Sequence, residues 1–253
     1  MSEYLNERAG CELATRPDEE TIHRYVSLPL GVRNPAASHP VLLCWDNSGS
    51  TAGNGAIDEE NHAQDQLAKE LKIQRSIAPS VLVATAGFGT AKPFELMTPF
   101  APSDKLVLPK LVANTSTPHC QRVEMAVDFM ITARRILSQE FEREVRTAWI
   151  FDFCDGAADD NQHVARAIKA SHETALREQI HVFFFGVGRD CNFPYLEQLA
   201  QPGRPAVLMK KVESFRRFFE WLTQSLNIYQ CSRPGDRVEL PPFEDGPRLI
   251  TEG

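Results

Sequence analysis

Features that mark a membrane protein or a secreted protein are missing from this sequence of 253 residues. No stretch approaches the run of about 18 apolar residues that a transmembrane helix needs. The polar start MSEYLNERAGCELATRPDEE lacks both the basic segment and the apolar segment of a secretory signal peptide. We therefore expect a cytoplasmic protein without a membrane partner.

Clustered positive charge is missing as well. The chain carries 27 Lys and Arg against 34 Asp and Glu, and its formal net charge is −7. Because the positive side chains are spread along the chain, no segment forms the basic patch that binds a phosphate backbone. Nucleic acid is not expected as a partner.

Cysteine pairs with the spacing of redox or zinc motifs do not occur. The six cysteines are Cys11, Cys44, Cys120, Cys154, Cys191 and Cys231. Because disulfides are rare in a reducing compartment, we expect free thiols, several of them inside strands.

The chain divides by composition into three parts. Residues 1–38 form a polar extension that ends in the linker NPAASHP, and its segment PDEETIHRYV predicts one short helix. Residues 39–230 carry the regular pattern of the main domain. Residues 231–253, rich in Pro, Gly and acids, are expected to form an extended tail.

In the main domain, short apolar runs alternate with longer amphipathic stretches, which is typical of strands joined by crossover helices. We predict strands near 41–45, 80–86, 94–99, 146–153, 180–187 and 205–209. We predict helices over 56–76, 118–139, 160–177, 193–200 and 213–229. Trp221 falls off the apolar stripe of the last helix, which favours an exposed position.

The strands VLLCW, TAWIFDF and IHVFFFGV are apolar on both faces, which indicates helices on both sides of a mostly parallel sheet. Right-handed crossovers then give a doubly wound, Rossmann-like α/β fold of six strands in the order 3-2-1-4-5-6. The third strand follows the second after the short connection GFGTAK, so it should be an antiparallel edge strand. Asp152, an acid inside one of these strands, should have a buried partner.

Two acids follow neighbouring strands of this predicted sheet. The stretch VLLCWDNSGST places a D-x-S-x-S pattern, Asp46, Ser48 and Ser50, directly after the first strand. Asp155, in CDGAADD, follows the fourth strand. Both loops belong to the ligand crevice at the carboxyl ends of the strands. Asp46 and Asp155 should therefore face each other, and two carboxylates so placed favour a cation between them.

A further oxygen comes from Thr117 in NTSTPHCQ, which precedes Pro118 at a helix start and fits both an N-cap and a ligand. The candidate ligands are then Asp46, Ser48, Ser50, Thr117 and Asp155. This all-oxygen set suits Mg²⁺ or Mn²⁺, suits Ca²⁺ less well and argues against zinc. Two carboxylates balance the dication and leave it electrophilic enough to take an acidic side chain of a partner protein.

These residues resemble the metal-ion-dependent adhesion site (MIDAS) of the von Willebrand factor A (VWA) domain, which uses D-x-S-x-S, a Thr before a helix and an Asp-Gly. The segments FFFGVGRDCNFPYLEQLAQ and VESFRRFFEWLTQSL are similar to the bacterial TerY-like, tellurium-resistance-associated group. The resemblance implies a non-enzymatic domain that binds a divalent cation and a protein. It also implies a stress-response setting with a kinase and a PP2C-type phosphatase as partners.

The sequence departs from that pattern just before the ligand threonine. Asn114, Thr115 and Ser116 stand where glycines are common. Thr115 is therefore an alternative ligand, although only Thr117 keeps the Thr-Pro step into the helix.

Two other functions fit parts of the sequence. A Mg²⁺-dependent phosphohydrolase would use Asp46 as nucleophile, but Ser48 stands where that pattern has a second acid. A degenerate A domain would bind partners without metal.

Four residues near the site have simpler explanations. His119 and Cys120 are adjacent at a helix start, so their side chains should point in different directions. Structural roles are expected for both. Asp159 and Asp160 fit acids that favour the N-terminus of the next helix.

Overall fold

The computed structural model describes residues 19–26, 37–49, 57–58, 61–62, 64–65, 69, 80–89, 92–113, 116–139, 144–188, 190–209, 212–232, 236–242 and 248–252. The strands are β1 (His39–Cys44), β2 (Val81–Gly89), β3 (Lys92–Pro102), β4 (Ala148–Cys154), β5 (Ile180–Val187), β6 (Val207–Met209), β7 (Arg237–Pro242) and β8 (Arg248–Glu252). The helices are α1 (Glu19–Val26), α2 (His119–Gln139), α3 (Val164–Lys169), α4 (Phe193–Leu199) and α5 (Val212–Cys231).

Six of these strands form one sheet in the order β3-β2-β1-β4-β5-β6. Strand β1 is parallel to both β2 and β4, and the parallel pairing continues through β5 to β6. Strand β3 pairs antiparallel with β2 at the edge. The predicted strand order and the predicted antiparallel edge strand are both confirmed.

Helices and other segments cover both faces of this sheet. The strands β1, β4 and β5 are therefore buried along their whole length. On one face, Leu42 and Cys44 of β1 pack in a cluster with apolar residues of α1, α2, α3 and α4. On the other face, Val41, Leu43 and Trp45 pack with α5, β7 and the segment that contains Leu106 and Leu111. The predicted doubly wound α/β class is confirmed.

The short helix predicted in the N-terminal extension is α1, and it packs on the main sheet. Ile22 and Val26 are buried in the same cluster as α2, and the Tyr25 hydroxyl donates a hydrogen bond to the Leu96 carbonyl at 3.2 Å. Part of the extension therefore belongs to the core, while the domain limits 39–230 stay a prediction.

The helix predicted over 160–177 is divided into three kinds of turn. It begins with a 3-10 turn at Asn161–His163, continues as α3, passes through a π-helical turn at Ala170–Ala175 and ends with the helical residues 176–177. In the stretch predicted as a helix over 56–76, the described residues 57–58, 61–62, 64–65 and 69 are helical, and the others lie outside the described residues.

The exposed position favoured for Trp221 is wrong. Trp221 is buried, and its indole N–H donates to the Pro241 carbonyl at 2.7 Å. The reason is the C-terminal tail, in which β7 and β8 pair antiparallel, and β7 packs on α5. None of the described helices has the length and hydropathy that crossing a bilayer requires.

Candidate metal centre

Asp46 lies just beyond the carboxyl end of β1, and its side chain is fully buried. The amide of Ser48 donates to Asp46 Oδ1 at 2.9 Å, which folds the D-N-S step into an Asx-type turn. The Asp155 amide donates to Asp46 Oδ2 at 3.3 Å. Both carboxylate oxygens therefore have defined donors, one from each of the two loops.

Asp155 begins the loop after β4 and makes a similar turn. Its Oδ1 accepts a hydrogen bond from the Ala157 amide at 2.9 Å. Gly156 has φ +75, and a Cβ there would lie 2.7 Å from the Asn192 carbonyl oxygen. An Asp-Gly step is required here because a side chain after Asp155 would be strained and would clash with the next loop.

The two acids meet, as the sequence analysis predicts. One carboxylate oxygen of Asp46, one of Asp155 and the Cys154 Sγ all lie within 4.8 Å of one another. Strands β1 and β4 are parallel neighbours with Cys44 opposite Asp152, so the loops that follow them emerge side by side. The sequence places Cys154 near this edge together with His119 and Cys120 and favours a structural role for all three, but of the three only Cys154 joins the two acids.

The remaining predicted ligands are placed less completely. Ser48 is fully buried in the Asp46 loop. Thr117 is joined to the Asp155 loop, because its amide donates to Asp159 Oδ2 at 2.7 Å and its carbonyl accepts from the Asp159 amide at 3.1 Å. Ser50 and the alternative ligand Thr115 lie outside the described residues.

Asp159 and Asp160 act on a different helix from the predicted one. Asp160 accepts hydrogen bonds from the Cys120 amide at 3.0 Å and from the Gln121 amide at 2.8 Å. It therefore supplies acceptors to free amides at the start of α2 rather than to the helix that follows it in the chain. The expectation for these two acids is wrong in that respect, because the loop folds back onto α2.

A buried ion pair lies directly beneath the two acids. Arg122 of α2 is fully buried and donates to Asp152 Oδ1 at 2.9 Å, to the Trp45 carbonyl at 2.8 Å and to the Phe153 carbonyl at 3.2 Å. Burial works to raise the pKa of Asp152, but the charges of Arg122 and His119 outweigh it and hold that pKa below its ordinary value. Asp152 thus has the predicted partner.

His119 and Cys120 do not diverge as the sequence analysis expects. His119 Nε2 lies 2.7 Å from Asp152 Oδ1, and its Nδ1 lies 2.9 Å from the Tyr195 hydroxyl. Cys120 Sγ lies 3.2 Å from the same hydroxyl. Burial raises the pKa of the Cys120 thiol to about 12, so this thiol is not activated as a nucleophile. The contacts join α2 to α4 and β4, which is a structural role.

The donor set at the crevice fits a hard dication better than zinc. Burial, with the charge of Asp46, raises the pKa of the Cys154 thiol well above its ordinary value. Cys154 Sγ also lies 3.2 Å from the Gly156 amide, which occupies it as an acceptor. Because this sulfur already accepts a hydrogen bond, the donors that remain for an ion are carboxylate and hydroxyl oxygens. Such oxygens are the ligands that Mg²⁺ prefers.

Comparisons by sequence give no relative. No protein-family model matches the chain, and no curated protein matches it.

Comparisons by structure give similar folds. The PilB minor pilin from Streptococcus sanguinis has a TM-score of 0.51 at 12% identity, over 79% of this chain and 64% of that one. The open conformation of the pilus adhesin SpaC from Lactobacillus rhamnosus GG has a TM-score of 0.52 at 7% identity, over 76% and 30%. BatB, a conserved hypothetical protein from Bacteroides thetaiotaomicron, has a TM-score of 0.48 at 12% identity, over 72% and 96%.

This chain therefore spans 64% of PilB and 30% of SpaC. At these identities the likeness concerns the fold alone. That fold is α/β with one antiparallel edge strand, and it is consistent with a VWA-like, Rossmann-like architecture.

Proposed function

We propose that this protein is a non-enzymatic, metal-dependent interaction module. Asp46 and Asp155, together with Ser48, Ser50 and Thr117, would hold Mg²⁺, with Mn²⁺ or Ca²⁺ as substitutes. The ion would accept an Asp or Glu side chain of a partner protein as a further ligand. One observation carries the proposal. Asp46 and Asp155 are 109 positions apart in the chain, yet the Asp155 amide donates to the Asp46 carboxylate, and one carboxylate oxygen of each acid lies within 4.8 Å of the other.

The electrostatics of the pair support a cation. Two unit charges at this separation repel by roughly 3 kcal/mol at an effective dielectric constant of about 20. The buried positive charge of Arg122 is already bound to Asp152. A dication between Asp46 and Asp155 would replace the repulsion with two attractive contacts and cancel both formal charges.

The same charge balance supports partner binding rather than catalysis. When bound, the dication supplies a Lewis-acidic position that attracts an incoming carboxylate. Backbone amides would hold the two carboxylates in place for the ion. The amides of Ser48 and Asp155 donate to the Asp46 carboxylate, and the Ala157 amide donates to the Asp155 carboxylate. The resemblance to the TerY-like group extends the proposal to a bacterial stress-response or tellurite-resistance system with kinase and phosphatase partners.

A titration with Mn²⁺, followed by the paramagnetic resonance of the free ion, tests the metal site. Loss of a residue that only hydrogen-bonds to a metal ligand costs about 10- to 100-fold in metal affinity, so loss of a ligand itself should cost at least about 100-fold. We expect that loss in Asp46→Asn and in Asp155→Asn. Asp104→Asn is the matched control, because Asp104 follows the opposite end of the sheet, after Pro102.

Three outcomes separate the functions considered. Equal Mn²⁺ affinity in the wild type and Asp46→Asn contradicts the metal centre. Mg²⁺-dependent hydrolysis of a phosphate ester by the wild type, abolished in Asp46→Asn, favours a phosphohydrolase instead. Binding of a protein partner that persists in chelator favours a scaffold that needs no metal.

A further inference from the structure

The segment 106–113 connects the far end of the sheet to the metal-site edge. It follows the 3-10 turn Ser103–Lys105, which comes after Pro102, the residue paired with Leu82 near the start of β2. Leu106 and Leu111 are buried in the cluster that contains Val41, Leu43 and Trp45. The segment therefore crosses that face of the sheet and returns to the edge where Asp46 lies.

Two asparagine side chains fix the end of this segment. Asn61 accepts from the Leu111 amide at 2.7 Å and donates to the Leu111 carbonyl at 3.2 Å. Asn47, between Asp46 and Ser48, donates to the Val112 carbonyl at 3.2 Å. The same Asn47 side chain pairs with the amide and the carbonyl of Phe88 at the end of β2. Residues 111–112 are thus held directly against the Asp46 loop.

The outward side of the segment is apolar and basic, in an acidic protein. Val107 and Val112 are 75% and 72% exposed, and together with Ile228 they are the exposed large hydrophobics among the described residues. Lys105 and Lys110 are exposed on the same stretch. From Lys105 to Cys120 the sequence KLVLPKLVANTSTPHC contains no acidic residue, although the chain has 34 of them. We call the exposed side of residues 107–113 the valine surface.

We propose that the valine surface binds an acidic segment of the partner protein, beside the carboxylate that reaches the metal. A large apolar side chain of that segment packs on Val112, and a second acidic residue pairs with Lys110. Charge complementarity and direct continuity with the Asp46 loop, through Asn47, identify this occupant. The inference rests on the proposed function and deepens it, because it names the sequence character of the partner that the site selects.

Selection of displayed random peptides on the full-length protein in MgCl₂ tests the valine surface. We expect the enriched peptides to share one acid, a large apolar residue and a further acid. Val112→Ser and Lys110→Glu should each weaken these peptides about tenfold, the effect of one partly buried contact. Both variants should keep the Mn²⁺ affinity and the thermal midpoint of the wild type. Ile228→Ser is the matched control, an exposed hydrophobic on α5 that should change nothing.

The outcomes distinguish the valine surface from the metal proposal. Peptides that need Mg²⁺ and Asp46 but bind Val112→Ser and Lys110→Glu as tightly as the wild type overturn the surface alone. Peptides that depend on Val112 and Lys110 yet persist in chelator keep the surface and overturn the metal proposal. A selection that enriches no peptide contradicts the valine surface.

Discussion

Arg122 joins the two strands that precede the acids of the candidate metal centre. Its guanidinium binds the carbonyl of Trp45, which precedes Asp46, and that of Phe153, two positions before Asp155. It also lies over the Phe88 ring, 4.2 Å from the ring centre. One side chain of α2 therefore holds the ends of β1 and β4 together and places a buried positive charge beneath two acids.

Arg122→Met should destabilise the fold by about 3–5 kcal/mol, because it leaves Asp152 buried without its strongest partner. Urea unfolding measures this change. Arg24→Met is the matched control, since Arg24 pairs with Glu20 at an exposed position and should contribute no more than about 1 kcal/mol. Equal losses in the two variants would contradict the role assigned to Arg122.

The two acids of the site could be predicted from sequence, and their support could not. Asp46 and Asp155 each follow an apolar run, and parallel strands bring such positions to one edge. Arg122 lies at helical spacing between His119 and Val123 on α2, and this spacing indicates that its side chain faces the core. Its partners come from β1 and β4, however, and periodicity within one helix does not identify contacts to distant strands.

Among the secondary-structure elements, α2 is fixed at its start by the loop that follows β4, the next strand along the chain. Asp160 accepts from two amides of the first turn of α2, and Asp159 pairs with the backbone of Thr117. These contacts hold Thr117 against the loop that contains Asp155. A local rule assigned the acids to the next helix, and the error shows that a helix start can take its cap from a distant segment.

Asp160→Ala should cost about 1–2 kcal/mol in the free energy of unfolding, the range of a lost N-terminal cap, because two amides lose their acceptor. Thermal or urea unfolding gives the value. Glu197→Ala, an exposed acid on α4, is the control and should stay within about 0.5 kcal/mol of the wild type. A loss in Asp160→Ala no larger than that of the control would show that the two hydrogen bonds do not stabilise α2.

Strands and long helices were predictable because their buried runs are long, whereas the tail was not. Residues 237–242 and 248–252 pair with each other in a separate two-stranded sheet, and residues 237–242 pack on α5. The sequence rich in Pro, Gly and acids around them favoured an extended tail. The prediction that Trp221 is exposed is wrong for the same reason, because β7 of the tail packs against its side chain.

At the scale of the whole molecule, the core contains histidines that must stay neutral. His39 packs between Trp149 and Tyr229, each with ring centres 4.5 Å away, and burial with the charge of Arg146 lowers its pKa to about 3. His181 lies 2.7 Å from the Arg204 guanidinium, which must donate to it. Burial and the charge of Arg204 lower the pKa of His181 to about 2.

Stability should therefore fall as the pH drops from about 6.5 toward 3. The unfolded chain takes up protons on both histidines in this window while the folded chain does not. The free energy of unfolding should decrease by up to about 1.4 kcal/mol per pH unit for each histidine. The depressed pKa of Asp152 adds its loss only below its ordinary value of 3.8.

Urea unfolding at pH 7, 6 and 5 measures this slope, and His39→Gln should reduce it by about half. A slope in His39→Gln equal to that of the wild type would contradict the neutral, buried state assigned to His39.

Under the proposed function, Asp46 and Asp155 enclose one divalent cation. Crystals grown in MnCl₂ and measured for anomalous scattering of manganese test it most directly. We expect one strong peak in contact with a carboxylate oxygen of each acid, at about 2.0–2.6 Å, with a coordination position toward solvent. Absence of a peak between the two carboxylates in saturated crystals, or a peak held by other residues alone, would contradict it.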